Sequence, residues 1–250
     1  MECEGKKVLV TGGQQGIGRA MAVTFAEAGA DVAINWHDDE EKAQFVADSV
    51  RKAGRQAQLV KGDVSKVADC HKIVADTVAA FGTIDILINN AGMFPRVKFL
   101  EMKETDFDFV MDINVKGTFF CSQAAAREMV KSGTRGAILN LASQSVRGQT
   151  PLATHYTTSK LGIVGITRAT AHELAEHGIR VNAVAPGLTD TAQPRYGNTE
   201  DELMVMGSNV PLGRMTSPEE IAYTAVFLCS EKSAMTTGQV FHVNGGSYLG

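Results

Sequence analysis

The chain has 250 residues, of which 44% are hydrophobic and 21% are charged. A chain of this length and composition can bury a full core, which excludes a largely disordered protein. The formal net charge of −4 removes the basic surface expected of a nucleic-acid-binding protein, so no nucleic-acid partner is predicted.

The cysteines are far apart in the chain and form no CxxC pair; they are Cys3, Cys70, Cys121 and Cys229. They indicate neither a zinc site nor a disulfide framework, and no metal site is predicted. No uncharged apolar run approaches the roughly 20 residues of a membrane helix, and the N-terminus lacks the apolar core of a signal peptide. We therefore expect a cytoplasmic protein without a membrane partner.

Short apolar runs alternate with segments of helical period along the chain. The predicted strands cover residues 8–10, 32–34, 58–60, 84–88, 137–141, 181–184 and 240–243. The predicted helices follow the first glycine turn up to residue 29 and then cover residues 40–53, 67–81, 106–131, 156–177 and 217–230. This alternation is typical of a parallel sheet covered on both faces. The prediction is an α/β fold, a single doubly wound Rossmann-type domain over residues 1–250 with a mostly parallel seven-stranded sheet.

Residues 188–216 show no clean period. A structureless segment of this length inside a compact domain is usually a functional lid, so we expect it to cover the substrate. The helix that follows begins with clear signals, because Ser217 is a good N-cap and Pro218 fits the first helical position.

Three glycines follow the first strand directly and open the first helix: Gly12, Gly16 and Gly18. Glycine lets the backbone turn tightly and lets a pyrophosphate approach N–H groups at a helix N-terminus. The spacing departs from the G-x-G-x-x-G form, and a tight turn without a ligand is the alternative. In this setting the glycines predict a phosphate site.

Polar and small side chains also end the third and fourth strands, at the edge where ligands bind open α/β sheets. Asn89-Asn90-Ala91-Gly92 would leave room for a flat group, and its amides could brace neighbouring strands. Asp63 is placed to accept a hydrogen bond from an adenine amino group, with a turn or helix-cap role as the alternative.

Tyr156 and Lys160 are separated by one helical turn, so both side chains would lie on one helix face. A nearby ammonium would lower the pKa of the phenol toward the range of a general acid or base. His155 is an alternative base, but adjacent helical residues point about 100° apart, so it cannot share that face. Ser145 and Ser159 are alternative hydroxyls to Ser143 in the same region.

Together these motifs resemble the short-chain dehydrogenase/reductase superfamily over essentially the whole chain. Residues 11–18 are similar to its cofactor motif, residues 89–92 to its strand-four motif, and Asn114 to its helix asparagine. Pro186-Gly187 is similar to its nicotinamide-side turn. The residues that match its catalytic group in identity, order and spacing are Ser143, Tyr156 and Lys160.

The resemblance implies hydride transfer between a nicotinamide cofactor and a secondary alcohol or ketone. Tyr156 would move the proton of the substrate oxygen, Lys160 would hold the nicotinamide ribose, and Ser143 would donate to the carbonyl oxygen. Asn114 would hold a water that links Lys160 to solvent. The predicted substrate-binding residues are Ser143, Ser145 and Tyr156. The predicted cofactor-binding residues are Gly12, Gln14, Gln15, Gly16, Ile17, Gly18, Trp36, Asp63, Val64, Asn90, Ala91, Gly92, Tyr156, Lys160, Pro186, Gly187, Thr189 and Thr191.

The choice between NAD and NADP should be made at the end of the second strand. Trp36 carries no acid to bind a ribose 2′-hydroxyl, and Asp38 and Asp39 follow it closely. The other side chains expected there bring no permanent positive charge; they are Gln14, Gln15 and His37. A 2′-phosphate would be poorly compensated, so NAD is favoured over NADP.

The substrate is predicted to be a sugar or polyol, because residues 188–216 hold a compatible polar set: Asp190, Gln193, Arg195, Tyr196 and Asn198. The alternative for these side chains is a solvated lid that does not bind substrate. Residues 144–151 should also contribute. One alternative is a 3-oxoacyl carrier-protein reductase, which would need a basic landing surface such as Arg127, Lys131 and Arg135. Another is a non-catalytic dinucleotide-binding regulator, which would be expected to have lost Tyr156 or Lys160.

Two predicted helices are apolar over more than one face, around residues 119–121 and 161–166. Surplus apolar surface on neighbouring helices predicts a symmetric helix-pair interface. The family resemblance implies a homotetramer.

Overall fold

The computed structural model describes residues 1–148 and 150–249. Gln149, within the predicted substrate segment 144–151, and the terminal Gly250 lie outside the described residues. Among the described helices, none is long and apolar enough to cross a membrane.

Seven strands form one sheet in the order β3-β2-β1-β4-β5-β6-β7, and every pairing is parallel. The strands are β1 Lys7–Val10, β2 Asp31–Trp36, β3 Ala57–Lys61, β4 Ile86–Asn89, β5 Ala137–Leu141, β6 Arg180–Pro186 and β7 Val240–Val243. The sheet is fully parallel where a mostly parallel one was predicted. The chain order reverses between β1 and β4, and such a switch point opens a crevice at the carboxyl ends of the two strands.

Helices cover both faces of the sheet. They are α1 Gly16–Glu27, α2 Glu40–Lys52, α3 Val67–Phe81, α4 Glu104–Met111, α5 Thr118–Ser132, α6 Thr154–Leu174, α7 Ala192–Arg195, α8 Glu200–Ser208 and α9 Pro218–Cys229. One core lies under α1, α2 and α9 and includes the buried side chains of Phe25 and Met21. The other lies under α3, α5 and α6 and includes Ile73 and Met129. The predicted α/β architecture is confirmed.

The predicted helix 106–131 is interrupted. A π turn, Asp112–Gly117, separates α4 from α5. A Cβ atom at Gly117 would lie 2.9 Å from the Val64 carbonyl oxygen, so this wide turn packs directly against the loop after β3. The apolar period continues on both sides of the turn, which is why the sequence indicates one unbroken helix.

The predicted structureless segment 188–216 contains α7 and α8. Thr199 caps α8 in a capping box with Glu202, a T-x-x-E signal that the sequence carries. Arg195 ties the two helices together, because its guanidinium donates to Asp190 and Glu200. We call residues 188–216 the lid.

A partly buried ion pair joins the starts of β1 and β2. The Lys7 ammonium lies 2.5 Å from the Asp31 carboxylate, whose side chain is 5% exposed. Asp31 also accepts from the Gln56 N–H at 2.9 Å and lies 3.2 Å from the Arg55 guanidinium. Burial opposes ionisation of Asp31, but these donors outweigh it and hold the pKa of the carboxyl below its usual value.

Asp31→Asn is expected to reduce the free energy of unfolding by about 2 kcal/mol at pH 7, because it leaves a partly buried ammonium without its carboxylate. The pKa of the Asp31 carboxyl is lower in the folded protein than in the unfolded chain. Its ionised form therefore stabilises the folded protein above the unfolded pKa, and this stabilisation is lost as the pH falls through the folded pKa. The difference in the free energy of unfolding between wild type and Asp31→Asn should therefore become smaller below about pH 4. Urea unfolding curves, recorded at one protein concentration over a series of pH values, measure this difference.

Asp48→Asn is the matched control, since Asp48 forms an exposed pair with Arg51 at 2.8 Å. Its removal should change stability by no more than about 0.5 kcal/mol. The role given to Asp31 would be contradicted if the two variants lost the same free energy of unfolding. It would also be contradicted if the difference between wild type and Asp31→Asn stayed the same in acid.

Candidate active site

The turn between β1 and α1 depends on glycine at two positions. Gly16 has a positive φ of 54°, which glycine adopts without strain. At Gly18 a Cβ atom would lie 2.4 Å from the Gly12 carbonyl oxygen and 2.5 Å from the Asn90 side-chain nitrogen. A side chain would therefore strain the backbone at Gly16 and clash with the turn itself at Gly18.

Two side-chain amides hold this turn in place. The Asn35 oxygen Oδ1 accepts from the Gly12 N–H at 3.1 Å. The Asn90 nitrogen Nδ2 donates to the Thr11 and Gly12 carbonyls at 2.9 and 3.0 Å. Thr11 completes the contact, because its hydroxyl oxygen accepts from the N–H groups of Asn90 and Ala91. The expectation that amides brace the strands here is confirmed for Asn90.

Asn35 is absent from the residues predicted by sequence. Its signal is an amide inside an otherwise apolar strand, and it is 2% exposed. Its Nδ2 also donates to the Val60 and Gly62 carbonyls, which connects the turn to β3.

The start of α1 fits a pyrophosphate. Its N-cap Gln15 makes no side-chain cap, so the first N–H groups of the helix have no acceptor from that side chain. Ile17 packs against the core below, and Thr191 of the lid approaches to 3.5 Å of a Cβ built on Gly16. An anion bound here would accept from backbone N–H groups at the positive end of the helix.

The carboxyl ends of β2 and β3 lie beyond the turn. Trp36 is 6% exposed, and the Lys61 ammonium lies 4.6 Å from its ring centroid. Gln14 donates from Nε2 to Asp38 at 3.3 Å. The structure therefore places one acid, Asp38, against the glycine turn, whereas the indole of Trp36 is largely covered.

Asp63 forms a local turn. Its carboxylate accepts from the Ser65 N–H at 3.0 Å and from the Ser65 hydroxyl at 2.7 Å. Burial opposes ionisation, but these bonds hold the pKa of Asp63 below its usual value. The next residue, Val64, accepts from the Cys70 thiol through its carbonyl at 3.2 Å. The turn role named as the alternative for Asp63 is present.

Lys160 and Tyr156 are buried together on α6, with 4% and 9% of their residue surfaces exposed. The Lys160 ammonium donates to the Leu141 carbonyl at 2.6 Å and lies 5.5 Å from the Tyr156 ring centroid. Phe94 stacks on the Tyr156 ring at a centroid distance of 4.3 Å. The predicted shared face is confirmed, and Phe94 is a neighbour that the sequence analysis missed.

The pKa of Tyr156 departs from the sequence expectation. Burial raises it, and hydrogen bonds from Ser143 and Gln193 act in the opposite direction without cancelling the effect. Burial also lowers the pKa of Lys160 to about 8. The sequence argument weighed the charge of the ammonium and omitted the cost of burying both groups.

Asn114 lies in the π turn and is fully buried. Its Nδ2 donates to the Met93 carbonyl and to the Ser159 hydroxyl at 3.1 and 3.0 Å, and its Oδ1 accepts from the Met93 N–H at 2.8 Å. A Cβ atom at Gly92 would lie 3.3 Å from Oδ1 and 3.5 Å from the Lys160 ammonium. Asn114 and Lys160 therefore flank the same stretch of backbone.

The alternative groups differ in their surroundings. The Ser159 hydroxyl donates to the Tyr156 carbonyl at 2.7 Å, which commits it to the helix. Ser145 is 2% exposed, and its hydroxyl has no hydrogen-bond partner within residues 1–148 and 150–249. His155 is fully buried, and burial lowers its pKa. Ser143 contacts this loop too, because its Oγ accepts from the Ser145 N–H at 3.1 Å.

The turn after β6 forms the remaining wall. Pro186 ends that strand, and the Gly187 N–H donates to the Val243 carbonyl at 2.9 Å. Thr189 is 6% exposed and donates to the Gly187 carbonyl at 3.0 Å. The predicted residues thus collect at the carboxyl edge of the sheet, around the switch point between β1 and β4.

Comparisons with known proteins agree with this geometry. Residues 12–248 match the family model described as Enoyl-(Acyl carrier protein) reductase, which belongs to the short-chain dehydrogenases. A 3-oxoacyl-[acyl-carrier-protein] reductase of Staphylococcus epidermidis is 37% identical over 246 residues, covering 98% of this chain and 99% of the relative. An L-rhamnose 1-dehydrogenase (NAD(P)(+)) of Sphingomonas sp. is 39% identical over 248 residues, covering 98% of this chain and 97% of the relative.

A solved structure is also similar. The crystal structure of acetoin dehydrogenase from Enterobacter cloacae has a TM-score of 0.88 at 36% identity and covers 96% of this chain and 94% of that one. The chain therefore belongs to the short-chain dehydrogenase/reductase superfamily and is an NAD(P)-dependent oxidoreductase.

Proposed function

We propose that the protein exchanges a hydride between a nicotinamide cofactor and a secondary alcohol or ketone, with Tyr156 as the acid and base. The observation that carries the proposal is the buried phenol of Tyr156, with the buried Lys160 ammonium 5.5 Å from its ring centroid on the same helix face. The nicotinamide, when bound, would supply the hydride donor or acceptor.

Each residue has a defined task in this proposal. The raised pKa keeps the proton on Tyr156 at neutral pH, so the phenol is ready to donate it to a forming alkoxide. Ser143 would donate to the same substrate oxygen as negative charge develops on it. Lys160 would hold the ribose, and Asn114 would hold a water on the path from Lys160 to solvent. In oxidation the roles reverse, and Tyr156 receives the proton.

The cofactor would lie along the carboxyl edge. The glycine turn and the start of α1 would hold the pyrophosphate, and the turn after β6 would hold the nicotinamide side. Asp63 and Val64 would face the adenine. The lid, with Thr191 beside Gly16, would close over the pyrophosphate.

We propose a sugar or polyol as the substrate. Two similar proteins, the L-rhamnose 1-dehydrogenase and the acetoin dehydrogenase, are named for substrates with a hydroxyl next to the reacting carbon. The second candidate is a 3-oxoacyl carrier-protein reductase, which the Staphylococcus relative favours. The absorbance of the nicotinamide band, followed with polyols and with 3-oxoacyl thioesters, separates the two.

We propose a reducing, cytoplasmic setting, which the four buried free thiols support.

Tyr156→Phe is expected to reduce kcat/KM by about 10²- to 10⁴-fold, because the phenylalanine ring cannot transfer a proton. Ser143→Ala should cost roughly 10²-fold, because one donor to the developing oxyanion is lost. Tyr223→Phe is the control, since Tyr223 is 61% exposed on α9 and should retain full activity. If Tyr156→Phe kept near-normal turnover and Ser143→Ala had no activity, the roles assigned to Tyr156 and Ser143 would be wrong.

We propose that NAD is preferred over NADP, because Asp38 is held against the glycine turn by Gln14 and would repel a 2′-phosphate. Asp38→Asn is expected to lower the ratio of kcat/KM with NAD to kcat/KM with NADP by about tenfold, because it removes one negative charge close to the 2′-phosphate. Asp39→Asn makes the same charge change one residue away, where the carboxylate caps α2 by accepting from the Lys42 N–H at 3.0 Å. A wild-type preference for NADP, or equal effects of the two variants, would refute the assignment.

We propose that the groove between α5 and α6 pairs with the same groove of a second copy in a homotetramer. The groove measures about 640 Å³ and is lined by Phe119, Val130 and Ile166, with charged side chains of both signs at Arg127 and Glu173. Both signs in one patch suit a self-complementary, two-fold contact.

Light scattering is expected to give four times the chain mass of 26.7 kDa. Ala169→Arg places a long cation in the groove and should reduce the mass, whereas Ala79→Arg on the exposed face of α3 should not. A monomer in the wild type, or no change in Ala169→Arg, would exclude this interface.

A further inference from the structure

We infer that Arg96 is a specificity-determining residue that binds an anionic group, a carboxylate or a phosphate, at the end of the substrate remote from the reacting carbon. The preferred substrates are then acidic derivatives of sugars or polyols rather than neutral ones. The inference rests on the proposed function and deepens it. Arg96 lies in the loop that follows β4, two residues after Phe94, the side chain that stacks on Tyr156.

The guanidinium of Arg96 lies over an aromatic ring of the site. Its carbon Cζ is 5.9 Å from the Phe94 ring centroid, within the range of a cation–π contact. The Phe94 ring in turn stacks on the Tyr156 ring, with 4.3 Å between the two centroids. One ring therefore separates the guanidinium from the phenol that exchanges the proton, and an extended chain of several carbons is long enough to reach from one to the other.

The backbone that carries Arg96 is fixed on both sides. Before it, the Met93 N–H donates to the Asn114 oxygen Oδ1 at 2.8 Å, and the Met93 carbonyl accepts from the Asn114 nitrogen Nδ2 at 3.1 Å. After it, the Val97 N–H donates to the Leu152 carbonyl at 3.1 Å, in the loop that leads to α6. The guanidinium therefore extends from a loop that the π turn and the start of α6 hold in place.

The lid approaches the guanidinium at a glycine. A Cβ atom built on Gly197 would lie 3.4 Å from the Arg96 nitrogen Nη1, so a larger side chain there would touch the cation. Gly197 has a positive φ of 84°, which glycine adopts without strain. The guanidinium thus lies close to both the lid and the Phe94 ring, where the lid meets the loop after β4.

The charge of Arg96 has no partner in the part of the chain that the structure describes, residues 1–148 and 150–249. There the guanidinium forms neither a hydrogen bond nor a salt bridge, and its cation–π contact is with a neutral ring. The lid arginine Arg195, by contrast, is paired with Asp190 at 2.7 Å and with Glu200 at 2.8 Å. These two acids of the lid are therefore already compensated, and Arg96 can accept an incoming anion.

A guanidinium suits such an anion for two reasons. It stays charged across the working pH range, and its rigid fork of N–H donors matches the oxygens of a carboxylate or a phosphate. Hydrogen bonds between ionised groups are also stronger than those between neutral groups. Because the whole chain has a formal net charge of −4, a preference for an anionic substrate needs a local cation of this kind.

The test compares hexitols with the matching hexonates and hexitol phosphates, for example D-glucitol, D-gluconate and D-glucitol 6-phosphate, at saturating nicotinamide cofactor. In the wild type, kcat/KM is expected to be at least about tenfold higher for an anionic compound than for the neutral polyol. Arg96→Met removes the charge and the donors. It should reduce kcat/KM for the preferred anion by about 10- to 100-fold, mainly through KM, and change the value for the polyol by less than about threefold.

Two further variants separate recognition from damage to the lid. Arg96→Lys keeps the charge and loses the fork, so it should restore part of the preference for the anion. Arg51→Met makes the same chemical change on α2, where the Arg51 side chain is 48% exposed, and should leave every substrate unaffected. Salt gives an independent signal, because the preference of the wild type for the anion should weaken as the ionic strength rises.

The outcomes are distinct. A preference for an anion that Arg96→Met abolishes supports the inference, and the favoured compound identifies the group as a carboxylate or a phosphate. Three results would overturn it while the proposed function stands: equal losses on all substrates in Arg96→Met, a preference that survives Arg96→Met, or a wild type that favours neutral alcohols. If the wild type acts on no secondary alcohol or ketone with either nicotinamide cofactor, the proposed function fails and the inference fails with it.

Discussion

The hydrogen bonds that Asn35 and Asn90 make with the glycine turn are the contacts on which the rest of the site depends. At a switch point the chain leaves neighbouring strands in opposite directions, so the backbone there has no regular partner. The two amides supply the missing donors and acceptors from strands on both sides. A turn fixed in this way can present its remaining N–H groups without reorganising, and the residues of β4, β5 and α6 collect around it.

The sheet could be predicted from the sequence because fully buried parallel strands are continuous apolar runs. The interruption of the long helix at Asp112–Gly117 could not be predicted, because a π turn leaves the apolar period intact on either side. The turn accompanies the close approach of Gly117 to Val64, a contact between segments that are distant in the sequence. The helix α8 was predictable from the capping box at Thr199, a local signal that outweighs the missing period.

The candidate site also has features that the sequence predicts and features that it does not. Tyr156 and Lys160 are one helical turn apart, so it could be predicted that they share a helix face. Their pKa values could not, because burial depends on what the rest of the chain places over them, including the ring of Phe94.

The bond between the Lys160 ammonium and the Leu141 carbonyl has a consequence for how ligand binding and protons are linked. A carbonyl is a neutral partner, and burial leaves the pKa of this ammonium at about 8. A ribose hydroxyl that accepts from it would favour the charged form and raise that pKa. If the dinucleotide makes this contact, its binding above about pH 8 would take up a proton, and its affinity would weaken as the solution becomes more alkaline.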